Sequence, residues 1–247
     1  MNEVYQRELE RIKKFFDPLI FGYRVAKEIE KRTDKYLASD FDLIELIKPD
    51  ENKVSDVMKL LLEPDGKHGQ GKLFLRKFLE VLNKKLQERS KGLPGDIENL
   101  LDCDTTVERE VESEGRIDIR IDFKEKGRSF LIIGIENKPW ADDQTGQLER
   151  YSEYLENKSG GNYVLLFISG DGRLPSKHSI REGKRKDLEE NGKLVCSSYR
   201  GFLLPWLKEC LKECEADKVR WFLKDFVSWI EKSFKEVRND SGRERND

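Results

Sequence analysis

The first part of the chain carries apolar residues at the spacing of an α-helix. Residues 3–37 predict a helix with an apolar stripe and a break near Pro18, because proline lacks the N–H that an inner helical turn uses. Residues 54–62 and 73–86 predict two more helices, and a glycine-rich turn joins them. The chain is therefore expected to begin with helices.

Strand patterns follow in the middle of the chain. Apolar and polar residues begin to alternate near Thr105, and the strand character continues through 116–123 and 129–136. A helical pattern over 146–157 then precedes an apolar run at 162–169. Three strands, a helix and a further strand are predicted in that order.

The last third of the chain is expected to finish in helices. Residues 171–193 are polar and predict a long loop, after which 193–198 forms a weaker strand. Two helices are predicted over about 200–214 and 217–238, and the tail 239–247 is expected to fray.

This order of elements predicts an α/β fold with a mixed β-sheet and helices on both faces. We expect a single domain over 1–247, made of an N-terminal helical addition (1–44), an α/β core (45–197) and C-terminal helices (198–238) before the tail.

Composition and charge narrow the class of protein. Of the 247 residues, 39% are charged, and 47 basic residues nearly balance 49 acidic ones, so net charge provides no overall attraction to nucleic acid. No apolar run reaches the roughly 18 residues of a membrane span, and the charged N-terminus is unlike a signal peptide. The four cysteines form no CxxC pair, which favours reduced thiols. We expect a cytoplasmic protein with no membrane partner.

Residues 115–138 hold the most informative chemistry. Asp118 lies in one short strand, and Glu136 and Lys138 close the next, which is otherwise apolar. Because strand residues i and i+2 point to the same face, Glu136 and Lys138 project together while Asn137 turns away. A hairpin of the two strands would bring Asp118 beside them. Charges at the edge of a core are costly unless they are paired or bind a metal, so the group predicts a metal-dependent phosphodiesterase site.

The same residues resemble a known family. Asp118, followed by Glu136-Asn137-Lys138, resembles the acidic residue and the (D/E)xK element of the PD-(D/E)xK nuclease superfamily. The sequence departs from the family's pattern at Ile117, because the proline of the literal "PD" is absent.

Two further segments carry the resemblance. Gln147 and Tyr151 resemble the downstream glutamine-tyrosine helix of many members. Residues 51–82 resemble the N-terminal region of a branch that joins a Glu-led helix to an "LL-P-HG-G-FL" segment. The resemblance covers about residues 45–170 and implies a restriction-endonuclease-like mixed β-sheet core flanked by helices, with extra N- and C-terminal helices in this chain.

The expected cofactor is Mg²⁺, for which Mn²⁺ would substitute. The carboxylates of Asp118 and Glu136, with a backbone carbonyl near Asn137, would supply the oxygen ligands that Mg²⁺ prefers. The cation would lower the pKa of its water and polarise the phosphoryl oxygen. Lys138 would act either as a base or as an electrostatic stabiliser, and the sequence leaves both roles open.

Other catalytic candidates come with alternatives. Glu51 resembles the helix-borne acidic residue of the family's first motif, but a glutamate in a first helical turn also suits the helix dipole. Glu110 and Glu112 are rivals for the third carboxylate. The resemblance points Gln147 back at the carboxylates, where it would hold Lys138 or a phosphate oxygen.

Three residues are candidates for substrate binding. Arg116 shares the strand face of Asp118, where it would bind phosphate or neutralise the acidic group. Tyr151 would contact the backbone or order a water, or only pack on the sheet. His68 lies in the glycine-rich turn, where a phosphate could meet backbone N–H groups, or else it caps that turn.

These observations predict a Mg²⁺-dependent nuclease that hydrolyses phosphodiester bonds of DNA, with RNA as a further possible substrate. The family context suggests a role in defence against or restriction of foreign DNA, with a homodimer or a specificity or activator partner as further expectations. The alternative is a catalytically silent nuclease-fold module that binds nucleic acid or a partner. The simplest alternative for Glu136 and Lys138 is a salt bridge, which contributes about 0–1 kcal/mol at a surface.

Overall fold

The structure, a computed structural model, describes residues 2–38, 41–111 and 116–234. The chain divides into two compact units, Met1–Leu43 and Ile44–Asp247. Each unit is described by itself below.

The first unit is formed by one long helix, α1 (Asn2–Leu37), which contains Pro18 in its interior. The predicted break near Pro18 is therefore wrong. A proline removes a single hydrogen bond from the helical ladder, and the turns on either side keep theirs.

The second unit begins with four helices. Asp50 caps one of them, α3, because its carboxylate accepts a hydrogen bond of 2.8 Å from the backbone N–H of Lys53. The predicted helices at 54–62 and 73–86 are confirmed as α3 and α4. The four helices are α2 (Leu43–Ile47), α3 (Glu51–Leu62), α4 (Leu73–Gln87) and α5 (Ile97–Asp102).

A five-stranded mixed sheet forms the centre of this unit, with its strands in chain order. The first three strands pair antiparallel, and the last three pair parallel. This arrangement confirms the predicted mixed α/β fold and is consistent with a restriction-endonuclease-like fold. The strands are β1 (Asp104–Val111), β2 (Ile117–Glu125), β3 (Arg128–Lys138), β4 (Tyr163–Ser169) and β5 (Leu194–Ser198).

A tight turn sets the register between β2 and β3. Lys126 and Gly127 both adopt positive φ, 50° and 77°, as a two-residue hairpin turn requires. The resulting register pairs Ile119 with Ile135. The start of β2 therefore lies beside the end of β3, which confirms the predicted hairpin.

The remaining helices cover the sheet. One of them, α7, lies within residues 171–193, where a loop was predicted; its low apolar content hides the helical pattern, since only Leu188 and Glu189 are buried. The last helix ends at Ser233, earlier than predicted, and the expected tail 239–247 lies outside the described residues. These elements are α6 (Gln147–Ser159), α7 (Glu182–Glu190), a π-helical turn (Tyr199–Leu203), α8 (Leu204–Glu213) and α9 (Asp217–Ser233).

Apolar side chains pack on both faces of the sheet. On one face, Val164 and Leu166 of β4 join a core that also includes residues of α3, α4, α8 and α9. On the other face, Leu165 and Phe167 pack with Leu148 of α6. Alternation along the strand places successive side chains on opposite faces, so β4 is buried throughout its length.

All four cysteines, Cys103, Cys196, Cys210 and Cys214, are free thiols. Within the described ranges, no helix combines the length and the apolar character that a membrane crossing needs.

Gly170 follows β4 at a point where the backbone has no room for a side chain. A Cβ there would lie 2.1 Å from the carbonyl oxygen of Pro139 and 2.5 Å from a ring carbon of Phe234. We predict that Gly170→Ala lowers the free energy of unfolding by about 1–3 kcal/mol or more, because the added methyl group overpacks this position. Urea denaturation followed by circular dichroism measures the change.

Gly183→Ala is the matched control for this prediction. Gly183 lies in α7, and a Cβ there meets no described atom within 4 Å. The control should raise stability by about 0.5–1 kcal/mol, because alanine loses less backbone entropy in a helix than glycine. Equal effects of the two substitutions would contradict the steric argument.

Candidate active site

The antiparallel pairing of β2 and β3 brings three charged side chains to one end of the sheet. Asp118 lies near the start of β2, and Glu136 and Lys138 lie at the end of β3. The Asp118 carboxylate accepts a 2.8 Å hydrogen bond from the backbone N–H of Asn137. All three charged residues are buried.

Glu136 is the most deeply buried of these charges, with 1% of its surface exposed. Its Oε1 accepts hydrogen bonds from Lys138 Nζ at 2.9 Å and from Gln147 Nε2 at 2.7 Å. Its Oε2 has no hydrogen-bond partner in the part of the chain that the structure describes. Burying a carboxylate oxygen without a partner is costly, so Oε2 is the atom at this site most in need of a further ligand.

Lys138 connects the sheet to the first residue of α3. Its Nζ lies 2.8 Å from Oε1 of Glu51 as well as 2.9 Å from Glu136. Burial acts to lower the pKa of Lys138, but the carboxylates of Glu136 and Glu51 outweigh it and raise that pKa above its ordinary value. The side chain is therefore held as an ammonium ion between two carboxylates.

Gln147 and Tyr151 face the carboxylates from α6, one helical turn apart. The Gln147 amide donates to the Tyr151 hydroxyl at 3.0 Å, in addition to its bond to Glu136. The Tyr151 hydroxyl in turn donates to the backbone carbonyl of Arg116. The Gln147 amide thus contacts the same oxygen of Glu136 as Lys138 does, and its predicted contact with a phosphate stays a prediction.

Asn137 turns to the opposite face of the sheet, as the strand period predicts. Its amide donates to Ser55 Oγ at 2.9 Å, and its Oδ1 accepts from the Tyr199 hydroxyl at 2.7 Å. Asn137 is fully buried. These contacts fasten the end of β3 to α3 and to the π-helical turn, and the sequence analysis identified neither Ser55 nor Tyr199.

Arg109 of β1 is a further residue that the sequence analysis missed. Its Nη1 donates to the backbone carbonyl of Asp118 at 2.6 Å and lies 3.7 Å from the carboxylate of the same residue. Its Nε donates to Asp56 of α3 at 3.0 Å. The sequence shows an arginine within the alternating strand 104–111. That arginine can be assigned to Asp118 only once the pairing of β1 with β2 is known.

A buried ion pair fixes the loop between Lys138 and Gln147. The side chain of Asp143 is fully buried and binds Arg173 through both oxygens, at 2.8 and 3.1 Å. Two parallel bonds of this kind hold a specific geometry. The segment that connects β3 to α6 is thus held in place by this ion pair.

Burial changes the protonation of the two carboxylates. It raises the pKa of Asp118 from its ordinary value of 3.8 to about 6, partly offset by the hydrogen bond from Asn137. Burial, with the nearby Asp118 charge, raises the pKa of Glu136 well above its ordinary value, against the opposing effect of Lys138. Carboxylates with raised pKa values gain the most from a nearby cation.

One predicted residue, His68, stands apart from this group. Both ring nitrogens of His68 are used in its own turn, since Nε2 donates to the Glu63 carbonyl at 2.9 Å and Nδ1 accepts from the Gln70 N–H at 3.0 Å. Glu51 begins α3, whereas His68 follows the other end of that helix, which is about 18 Å long. The rivals to Glu51 are not located: Glu112 lies outside the described residues, and the side chain of Glu110 is not described.

Arg116 precedes β2 and is exposed. Its carbonyl belongs to the hydrogen-bond chain through Tyr151, but its side chain lies at the surface.

The donor set fits a hard divalent cation. Asp118 and Glu136 offer carboxylate oxygens, and Glu136 Oε2 is buried without a hydrogen-bond partner among the described residues. Mg²⁺ is commonly bound through one or two carboxylates, with water and substrate phosphate completing its shell. A closed structural metal site would need three or more His, Cys, Asp or Glu side chains grouped around the ion. Among the described residues, no such group that could hold a metal is present.

The sequence profile of the PD-(D/E)XK nuclease superfamily matches residues 40–246. A search of curated proteins finds no match.

We predict that Asp118→Asn changes the pH dependence of stability in metal-free buffer. The folded pKa of about 6 lies above the ordinary 3.8, so the carboxyl contributes stability below about pH 4 that is lost as pH rises to about 6. At about 1.4 kcal/mol per pKa unit, the loss is about 3 kcal/mol. Asparagine does not titrate, so the variant should gain that amount relative to the wild type between these pH values.

Urea denaturation at several pH values measures this difference. A difference between variant and wild type that stays constant across the range would show that the Asp118 carboxyl is not destabilised by its surroundings.

Proposed function

The chain belongs to the PD-(D/E)XK nuclease superfamily, and we propose that it is a Mg²⁺-dependent nuclease that hydrolyses phosphodiester bonds of DNA. The observation that carries the proposal is the state of Glu136. One of its oxygens is held by Lys138 and Gln147, and the other is buried without a hydrogen-bond partner among the described residues. With Asp118 beside it, this is an oxygen site built to receive a cation.

Asp118 and Glu136 would hold the Mg²⁺, and Mn²⁺ has the same preference for oxygen ligands. When bound, the cation lowers the pKa of a water and polarises the phosphoryl oxygen that faces it. Arg109 holds the backbone of Asp118, and Gln147 holds Glu136 Oε1, so both carboxylates have fixed positions.

Lys138 would act as an electrostatic stabiliser. A lysine whose pKa is raised remains an ammonium, and an ammonium has no lone pair with which to accept a proton from water. Its charge instead favours the extra negative charge that develops on the phosphoryl group. Glu51 would serve this role indirectly, because its carboxylate holds Lys138 at 2.8 Å.

Gln147 and Tyr151 would be positioning residues. Their hydrogen bonds run from Glu136 through both side chains to the carbonyl of Arg116, which fixes the rotamer of the glutamate. Arg116 lies at the end of this series of hydrogen bonds, and its exposed side chain would meet a substrate phosphate.

The biological setting is proposed on the family context alone. A nuclease of this family would act in defence against or restriction of foreign DNA, in the cytoplasm, with RNA as a second possible substrate and with a homodimer or an activating partner. The alternative is a nuclease-fold module that binds without cleaving. The assembled set of Asp118, Glu136 and Lys138, with Gln147 placed on Glu136, favours the enzyme.

We predict that Asp118→Ala and Lys138→Ala each reduce DNA cleavage at least about 100-fold, because the first removes a ligand of the cation and the second removes the positive charge that stabilises the reacting phosphate. Supercoiled plasmid, linear duplex and single-stranded DNA are incubated with Mg²⁺, Mn²⁺ or EDTA. The matched control is Lys212→Ala, which removes an exposed lysine that pairs with Glu209 on α8.

Wild-type protein and the Lys212 variant should cleave with either metal and stop in EDTA. No cleavage by the wild type, with equal DNA binding by all variants, would support the binding module instead.

We predict that Gln147→Ala raises the Mg²⁺ concentration for half-maximal cleavage roughly 10- to 100-fold, the usual effect of losing a residue that orients a metal ligand. The reason is that Glu136 Oε1 loses its 2.7 Å hydrogen bond. Titration of cleavage rate against Mg²⁺ measures the shift.

Gln144→Ala is the control for this experiment, because Gln144 meets the Gln147 side chain only through its own backbone N–H. A lower maximal rate with an unchanged Mg²⁺ requirement would contradict the assignment of Gln147 as a residue that orients Glu136.

A further inference from the structure

A pocket of about 590 Å³ opens beside the candidate active site. Its size is within the roughly 300–1,000 Å³ of typical ligand sites. Two tryptophans and two lysines contribute to its wall. The lining residues are Glu45, Lys48, Pro49, Asp50, Trp140, Trp229, Lys232 and Ser233.

The pocket is continuous with the active site along two segments of the chain. Trp140 follows Lys138 by two residues, and Asp50 directly precedes Glu51. Since Lys138 Nζ and Glu51 Oε1 are 2.8 Å apart, both pocket segments start from the same ion pair. The pocket is therefore lined by residues that adjoin Lys138 and Glu51 in the sequence.

Trp140 presents an aromatic surface that is held in place from behind. Its ring stacks against Phe234, with centroids 5.5 Å apart and planes at 27°, and meets the edge of Trp229 at 6.1 Å. Phe234 and Trp229 are both buried, yet 59% of Trp140 is exposed. A large apolar side chain that is well supported and still exposed suits a planar ligand, because little entropy is lost when the ligand stacks on it.

The charges around the pocket suit a ligand with both a base and a phosphate. Lys48 is exposed on the wall, and Lys232 lies there in an ion pair of 3.2 Å with Glu45. The wall also carries Asp50, and Glu45 pairs with Lys232, so the pocket is of mixed charge and Lys48 is the lysine we place near a phosphate. An aromatic platform with a basic side chain nearby is an arrangement by which proteins hold single-stranded nucleic acid, with bases stacked on the ring.

We propose that Trp140 stacks an unpaired nucleobase, so that the protein prefers single-stranded nucleic acid or an unpaired segment of it. The inference deepens the proposed function, on which it rests for the nucleic-acid substrate. The reason for the preference is geometric. A base inside a duplex is stacked on both faces by its neighbours, so only an unpaired base has a face free for the indole ring.

Binding assays without a divalent metal test this inference separately from cleavage. Fluorescence anisotropy in EDTA measures the affinity of labelled oligothymidylate, oligouridylate and a blunt duplex for the wild type and for Trp140→Ala. The expected result is a roughly 5- to 100-fold weaker affinity of the variant for both single strands, with duplex affinity unchanged.

Trp221→Ala is the matched control, because Trp221 of α9 is exposed to a similar extent, 53%, and does not line the pocket. It should bind all three ligands as the wild type does. Thermal denaturation of each variant establishes that it is folded.

Trp140→Phe guards against loss of folding, since phenylalanine keeps an aromatic packing partner for Phe234. Oligothymidylate should quench tryptophan fluorescence in the wild type and in Trp221→Phe, and most of that quenching should disappear in Trp140→Phe. Persistence of the full quenching would overturn the inference.

The two proposals fail in different ways. Equal single-strand affinity of Trp140→Ala and wild type would overturn the base-stacking inference even if cleavage is intact. A Trp140-dependent affinity without any cleavage would overturn the proposed nuclease and leave the stacking site. An equal loss of single-strand and duplex binding would overturn the proposed preference for unpaired bases.

Discussion

The ammonium of Lys138, held between Glu51 and Glu136, is the interaction on which the rest of the site depends. Removing one member of a buried ion pair leaves an uncompensated charge, which costs about 3–5 kcal/mol. Glu51 lies at the start of α3, and Glu136 and Lys138 lie at the end of β3. Gln147, which also contacts Glu136, lies at the start of α6. Because α3 and α6 pack on opposite faces of the sheet, this charge cluster is where both layers meet. A buried cluster in which Glu136 Oε2 has no partner within the described ranges contributes poorly to stability, and it is explained better by chemistry.

The fold could be predicted where local pattern and tertiary environment agree. The helices α3, α4 and α6 show the apolar period of the face that they bury, and β3 and β4 are apolar runs because both of their faces are buried. The pattern failed at α7, a mostly polar helix on which two residues are buried, and at Pro18, where the penalty of one residue did not outweigh the rest of a long helix. In both cases the outcome depends on the free energy summed over the whole helix, whereas a rule based on local sequence considers only a few residues at a time.

The parts of the site that could be predicted are pairs of residues that lie close together in the sequence. The strand period of two places Glu136 with Lys138, and the helical period places Gln147 with Tyr151, and the structure brings both pairs together. Contacts between distant segments are different. Arg109 reaches Asp118 only because β1 pairs with β2, and nothing near it in the sequence signals that contact.

The hydrogen bond from Tyr199 to Asn137 has a consequence for the order in which the molecule is completed. The partner of Asn137, Tyr199, lies 62 residues later in the chain. During synthesis the chain emerges from its N-terminal end, and domains fold as units. The carboxylates and Lys138 are therefore present well before the π-helical turn and the two last helices close the main core around them. A nascent chain that ends between Lys138 and Tyr199 therefore carries the charged cluster without the contact that fastens the end of β3 to the π-helical turn.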